Sequence, residues 1–400
     1  MLPSEVASKL GLQPGRRVGI ALEDGGLRLQ PEPTRLARLY VEPTNQCNLA
    51  CRTCIRNVWD EPAGMMNDAT FERILDGLKG YLPPPTVFFG GFGEPLAHPD
   101  IAAMVARAKG LGCRVELITN ATLLDEAMTR RLIAAGLDML WVSLDGARPE
   151  SYADVRLGAT LPHVLANVTR FRDMRRPGHH PSPELGIAFV AMQRSIGDLP
   201  DLLRLASHLG ASRFLVTNVL PYTAEMNGQL LYSRALNNIT YLPSLWMPHL
   251  SLPKMDLDPI TFEPLYQTLQ QPWNVSFAGS NWGADNDRCP FIGRGAAALG
   301  WDGSISPCLP LLHDHSSFLN QRPRRSRRYV PGNVNEHGLL DIWSEAGHVA
   351  FRERVRAFDF PPCSFCGGCV LSASNDTDCF GNSFPSCGGC LWAQGVIRCP

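Results

Sequence analysis

From Leu39 onward the chain alternates between two hydrophobic periods. Short apolar runs, rich in β-branched and aromatic residues, occur at Leu39–Pro43, Thr86–Gly90, Arg114–Thr119, Met139–Leu144, Leu185–Met192 and Arg213–Val219. Each has the length and composition of a buried strand. Between them, Asp68–Lys79, Pro99–Lys109, Leu124–Ala135, Pro162–Met174 and Asp198–Leu209 space their apolar residues three and four apart, the pattern of helices with one buried face. Strand and helix in alternation predict an α/β fold with a parallel sheet and right-handed crossovers. Six such units rather than eight predict a partial, TIM-like (β/α)6 barrel over residues 34–220. Loops at the carboxyl ends of its strands would carry the chemistry.

The flanks break this rhythm. Residues 1–33 predict a small hairpin module: a short helix at Ser4–Leu10, then strands Val18–Leu22 and Leu27–Leu29 joined at Asp24-Gly25-Gly26. Residues 221–288 are rich in Pro, Asn, Trp and Met, with one helix pattern at Phe262–Leu269, and read as a bridging or lid segment. Residues 289–400 open on a hairpin, Ala296–Trp301 and Ser304–Cys308 around Asp302-Gly303. A basic loop, one helix near Leu339–Arg356 and a cysteine-rich tail follow. The tail from Pro361 to Pro400 has few hydrophobic pairs to bury, and small cores of that kind need metal staples.

Charge narrows the partners. Lys and Arg number 37 against 38 Asp and Glu, a net −1, so no sequence-wide attraction draws the chain to nucleic acid or an anionic membrane. The longest apolar runs, such as Val87–Gly91, fall far short of the ~20 residues that span a bilayer. The start, Met-Leu-Pro-Ser-Glu-Val, has neither a basic nor an apolar targeting region, so the expected location is the cytoplasm. Thirteen cysteines in that reducing compartment, an odd count with spacings of two and three, point to metal rather than disulfides. They form two groups, Cys47, Cys51 and Cys54 near the start and nine between Cys289 and Cys399, with Cys113 alone between them.

The first group, Cys47-Asn-Leu-Ala-Cys51-Arg-Thr-Cys54, follows the first barrel strand directly. Three thiolates on one tight loop can ligate three irons of a 4Fe–4S cube and leave the fourth open. A structural zinc site is the alternative for the triplet alone. The second strand then runs into Gly90-Gly91-Phe92-Gly93-Glu94-Pro95-Leu96, where glycines allow close approach to a ligand and Glu94 can accept from a charged amino group. Together and in this order, from Arg38 to Val219, the two motifs resemble the radical S-adenosylmethionine (SAM) superfamily. The resemblance implies reductive cleavage of SAM to a 5′-deoxyadenosyl radical at a cluster on Cys47, Cys51 and Cys54. It also implies SAM contacts from Gly90, Gly91, Glu94, Asn120 and Ser143. One departure is Thr53, where the family usually has an aromatic residue against adenine; that contact would come from elsewhere, near Leu220. No residue is assigned a catalytic role.

In the second group, thirteen residues separate Cys289 from Gly303 and four more precede Cys308. Cys363, Cys366, Cys369, Cys379, Cys387, Cys390 and Cys399 follow. Spacing alone suits zinc ribbons equally. The CX(13)GX(4)C pattern is similar to the SPASM domain, which implies one or two auxiliary 4Fe–4S clusters. The segments around Cys54–Pro62, Asp378–Asn382 and Pro385–Gly395 resemble the SPASM proteins that serve as maturases of tungsten-cofactor oxidoreductases. That likeness implies a tungsten-dependent aldehyde oxidoreductase as protein partner and a ferredoxin or flavodoxin as electron donor. The N-terminal string LGLQPGRRVGIALEDGGLRLQP resembles half of an AbrB-type swapped hairpin, read as a docking or dimerising appendage.

Other residues carry blander readings. Cys113 reads as a small buried hydrophobe, His179-His180 as solvated, His313 and His315 as ordinary loop histidines, and Tyr222 as packing. Arg322, Arg324, Arg325, Arg327 and Arg328 read as a solvated loop, with a docking patch for an acidic protein or a phosphate-bearing cofactor as the alternative. Asp145 lacks the context for an acid–base pair with Glu94. Two rival functions remain: a radical SAM peptide modifier, forming thioethers or oxidising sulfatase side chains, and a zinc-bound regulator using the hairpin to bind DNA.

Overall fold

The computed structural model describes residues 18–23, 26–31, 35–175, 182–236, 246, 248–269, 271, 273–277, 280–281, 288–364 and 369–400. The Ser4–Leu10 helix, the Asp24-Gly25 turn, His179-His180 and Cys366 lie outside them. Strands β1 (Val18–Glu23) and β2 (Gly26–Pro31) form the expected antiparallel pair.

The core is a partial barrel. Strands β3 (Arg38–Val41), β4 (Thr86–Phe89), β5 (Val115–Thr119), β6 (Met139–Ser143), β7 (Glu184–Ala191) and β8 (Arg213–Asn218) lie side by side in sequence order, all parallel. Covering helices bury the stripes their sequences promised. Asp68–Leu78 buries Phe71, Ile74, Leu75 and Leu78, and Leu161–Met174 buries Leu161, Val164, Val168 and Phe171. The Leu124–Ala135 pattern starts its helix only at Glu126, because the Asp125 carboxylate accepts from the Met128 N–H as an N-cap. A short helix, Pro149–Val155, was not expected from periodicity.

The segment past β8 carries β9 (His249–Leu252), β10 (Asn274–Phe277) and β11 (Ser280–Asn281), which form a small separate sheet; the helix Phe262–Leu269 lies between β9 and β10. The C-terminal region is continuous with the barrel. In its expected hairpin, β12 (Ala296–Leu299) pairs antiparallel with β13 (Ser304–Ser306), but β12 also pairs in parallel with β3. With β16 (Gly332–Asn333) beyond β13, one nine-stranded sheet results. Part of the basic run is a strand rather than a loop: β14 (His315–Leu319) pairs with β15 (Arg322–Ser326). The single helix expected near Leu339–Arg356 is two, Leu339–Ser344 and Ala346–Ala357. Glu345 breaks it by accepting from the Gly347 and His348 N–H groups.

The tail spans the open side of the barrel. Tyr40 on β3 donates its hydroxyl to the Pro400 carbonyl at 2.9 Å, while on β8 Asn218 donates to the Val396 carbonyl and Thr217 accepts from the Arg398 N–H. The six parallel strands do not close on themselves, since among the described residues β8 has no strand partner beyond β7, and this segment bonds to both β3 and β8. Among the described residues no helix is long and apolar enough to cross a membrane.

Candidate active site

The register of the parallel strands brings their carboxyl ends level. Val41 lies beside Phe89, Thr119 beside Val142 and Ser143 beside Ala188. The loops leaving these ends enclose a cavity of about 680 Å³ lined by Cys47, Cys51, Thr53, Cys54, Ile55, Arg56, Gly91, Phe92, Gly93, Glu94, Ile118, Thr119, Asn120, Ser143 and Arg156. Residues separated by up to about a hundred positions in sequence thus share one wall.

The cysteine loop is braced from both sides. The Thr44 hydroxyl donates to the Gly64 carbonyl and accepts from the Gln46 N–H, while the Cys54 N–H closes a turn onto Cys51. The Ala50 and Arg52 N–H groups reach the carbonyls of Leu157 and Val155. Cys51 is buried; Cys47 and Cys54 are half-buried. Burial pushes the Cys47 thiol up, partly offset by the Leu49 N–H; burial also pushes Cys51 up, offset by Arg156. Asn120 approaches the Cys47 sulfur at 3.8 Å and donates to Asn48.

Arg156 is the residue that sequence reasoning missed. The Pro149–Val155 helix delivers it beside the cysteine loop, where its guanidinium lies 3.8 Å from the Cys51 sulfur and 2.7 Å from buried Asp145. Asp145 in turn accepts from the Val190 N–H. Burial opposes the Arg156 charge, but Asp145 and Cys51 outweigh it and hold its pKa above the usual value. A fixed cation beside a thiol favours thiolate, the form that ligates metal.

Glu94 lines the cavity with its carboxylate already heavily bonded. Its buried carboxylate accepts from the Thr119 hydroxyl at 2.7 Å, the Asn120 N–H at 2.8 Å and the Leu96 N–H at 3.0 Å. Burial pushes its pKa up against these bonds. Three of about four lone-pair positions are therefore committed to holding the glycine turn onto β5. Gly91 has φ +147°, and a Cβ there would lie 2.7 Å from the Glu42 carboxylate. Gly90 stands behind the wall, tight against Phe88 and Ile118. Ser143 and Thr53 both line the cavity. Leu220 does not: it packs with Ile55 and Tyr222 and lines a different cavity.

That second cavity, of about 720 Å³, is walled by Cys289, Cys308, Cys387 and Cys390 with His315 and Arg324. Burial pushes Cys289 up to about 12, and raises Cys308 and Cys387 well above the ordinary thiol range; neighbouring thiols add to each. Four thiolates could not share so dry a space without a compensating positive centre, which is the donor chemistry of an iron–sulfur cube. Cys363 is buried near Gly388, and Cys399 accepts from the Trp392 indole at 3.4 Å. Cys369 and Cys379 are exposed. Among the described residues no three His, Cys, Asp or Glu side chains converge to hold a single metal ion.

Three of the blander readings change. His313 and His315 are buried, not loop-exposed, and Arg324 is 8 % exposed rather than solvated, its guanidinium packed on Gly389. Cys113 is fully buried in the main core, as expected.

Residues 41–181 match the Radical SAM superfamily, and residues 289–370 match the SPASM iron–sulfur cluster-binding domain. The chain is 31% identical over 373 residues to the tungsten-containing aldehyde ferredoxin oxidoreductase cofactor-modifying protein of Pyrococcus furiosus. The match covers 90% of this chain and 96% of that protein. It is 26% identical over 359 residues to a PqqA peptide cyclase of Granulibacter bethesdensis, covering 87% and 86%. Among solved structures, native anSMEcpe with bound AdoMet aligns at TM-score 0.55 and 17% identity, over 85% of this chain and 92% of that one. SuiB of Streptococcus suis bound to S-adenosylmethionine aligns at TM-score 0.53 and 18% identity, over 87% and 73%. These two likenesses establish the fold alone.

Proposed function

The chain belongs to the radical SAM superfamily and carries a SPASM domain, and on that premise we propose that it is a maturase acting on the cofactor of a tungsten-dependent aldehyde oxidoreductase. Identity to the Pyrococcus furiosus cofactor-modifying protein along nearly its whole length carries this reading.

In it, Cys47, Cys51 and Cys54 hold the SAM-binding cluster, and Cys289, Cys308, Cys387 and Cys390 hold an auxiliary one. Bound to those three thiolates, a 4Fe–4S cluster would supply the electron for reductive cleavage of the sulfonium C–S bond of SAM to methionine and a 5′-deoxyadenosyl radical. The protein's part is placement. Arg156 lies against the Cys51 sulfur and offsets part of what burial costs its thiolate, and Glu94 fixes the turn whose backbone at Gly91, Phe92 and Gly93 lines the SAM cavity. Gly90 supports that turn from behind, while Asn120 and Ser143 face SAM in the cavity that Thr53 also lines. Ile55 and Ile118 supply the apolar contact for adenine that Thr53 cannot. Enclosure excludes water and restricts a reactive radical to the substrate nearest it. A reduced ferredoxin or flavodoxin supplies electrons, and residues 1–33 serve as a docking appendage.

The test is genetic and biochemical. Deleting the gene in its host should abolish activity of a tungsten-dependent aldehyde oxidoreductase without lowering its polypeptide level. The wild-type gene should restore that activity, and a C47A/C51A/C54A version should not. Full oxidoreductase activity in the deletion strain would sink the proposal and favour a peptide substrate, the reading that likeness to the peptide cyclase supports.

A further inference from the structure

A second buried polar group lies behind the glycine turn, outside both cavities. Glu42 follows β3 with its side chain fully buried. One carboxylate oxygen accepts from the Phe92 N–H in the turn, at 2.9 Å. The other meets the His313 Nε2 at 2.9 Å, and the opposite ring nitrogen, Nδ1, contacts Glu61. Glu61 also accepts from the Asp314 N–H at 3.2 Å. The rings of Trp59 and Phe92 pack edge-on against the imidazole, with centroids 4.4 and 5.6 Å away.

Four chain segments therefore meet at one imidazole: the end of β3, the stretch after the cysteine loop, the glycine turn and the loop before β14. An imidazole between two ionised carboxylates, one on each nitrogen, donates to both as a cation. Burial works against that charge, but the two carboxylates raise its pKa to about 9. A neutral ring would donate to only one of the two carboxylates, leaving the other with its backbone N–H donor alone. Gly91 adds the steric half: only a residue without Cβ lets the turn lie against Glu42.

We propose that His313 is a positioning residue for SAM. As the cation between Glu42 and Glu61, it fixes the Glu42 carboxylate, which fixes Phe92 and with it the backbone of the Gly91–Gly93 turn. Through it the C-terminal region holds the floor of the SAM cavity in the barrel. The inference rests on the reading of that cavity as the SAM site.

The experiment uses anaerobically purified holoenzyme with its clusters intact. Wild type, H313Q and the milder E61Q are compared for iron content, for the electron paramagnetic resonance spectrum of the reduced clusters without SAM, and for SAM affinity by equilibrium binding. H313Q should keep wild-type iron and an unaltered SAM-free spectrum, yet bind SAM at least tenfold more weakly. E61Q should fall between the two. In turnover, the KM for SAM should rise more than kcat falls. If both variants bind SAM as wild type does, the inference is wrong. A proportional loss of iron and SAM binding in both would overturn it too, by reducing His313 to a general stabiliser. If wild type itself binds no SAM, the reading of the cavity fails instead.

Discussion

Removing Asp145 should destabilise the barrel by an amount the burial of its ion pair sets. Its carboxylate is 0% exposed and Arg156 is 13% exposed, with Nε and Oδ2 2.7 Å apart. In D145A the guanidinium stays in a place with little water, its remaining side-chain hydrogen bond to the Cys51 sulfur, and the Val190 N–H loses its acceptor. Breaking a buried pair from one side costs about 3–5 kcal/mol. For a cooperative unit of this size that is a fall of about 10 °C in Tm. Replacing both partners with apolar residues, as in D145L/R156M, removes the stranded charge and should recover much of the loss. Anaerobic differential scanning calorimetry on D145A, R156M and the double variant would measure this, with iron counted in each sample so that cluster loss is not mistaken for loss of the pair. A D145A melt within two degrees of wild type would refute the argument. So would a double variant as unstable as the two single losses combined.

Two further outcomes follow from the same physics. His313 has its pKa raised to about 9 from an ordinary 6.5, so its contribution to stability is complete below about pH 6.5 and lost as pH rises through about 9. The contribution is about 3 kcal/mol; wild type should lose stability relative to H313Q between pH 6.5 and 9.5, and parallel profiles would contradict this. Cys113 sits in the core with its thiol pushed by burial up to about 11. C113A should therefore keep full iron and lose about 1 kcal/mol; a missing cluster would make Cys113 a ligand after all.

The strands of the barrel were legible because each is an apolar run of strand length, most of them deeply buried though β8 is only half-covered, and the helices because their stripes repeat at three and four. Those signals are local, and so were the failures. Nothing near Ala296 says that β12 will pair in parallel with β3, since a hairpin's sequence shows its own turn but not its outer neighbour. The Pro149–Val155 helix is too short to establish a period, so Arg156, which it carries to Cys51, was not seen. His313 looked like a loop residue because its two acidic partners lie more than 250 positions away, Glu42 at 271 and Glu61 at 252. Arg324 was hidden in a run of exposed arginines, and its burial depends on Gly389 leaving room for the guanidinium. The cysteine loop and glycine turn, by contrast, concentrate their chemistry within a few residues each.

The most direct test of the whole account is a paired count of iron and 5′-deoxyadenosine. Anaerobically purified wild type and C47A/C51A/C54A would each be assayed for iron and sulfide, then given dithionite and SAM. With one four-iron cube in the barrel and one or two more behind it, wild type should hold about eight to twelve irons per chain and release 5′-deoxyadenosine. The variant should hold about four fewer irons and release none. A wild type that carries zinc, or that leaves SAM intact with its clusters reduced, would contradict the account at its centre.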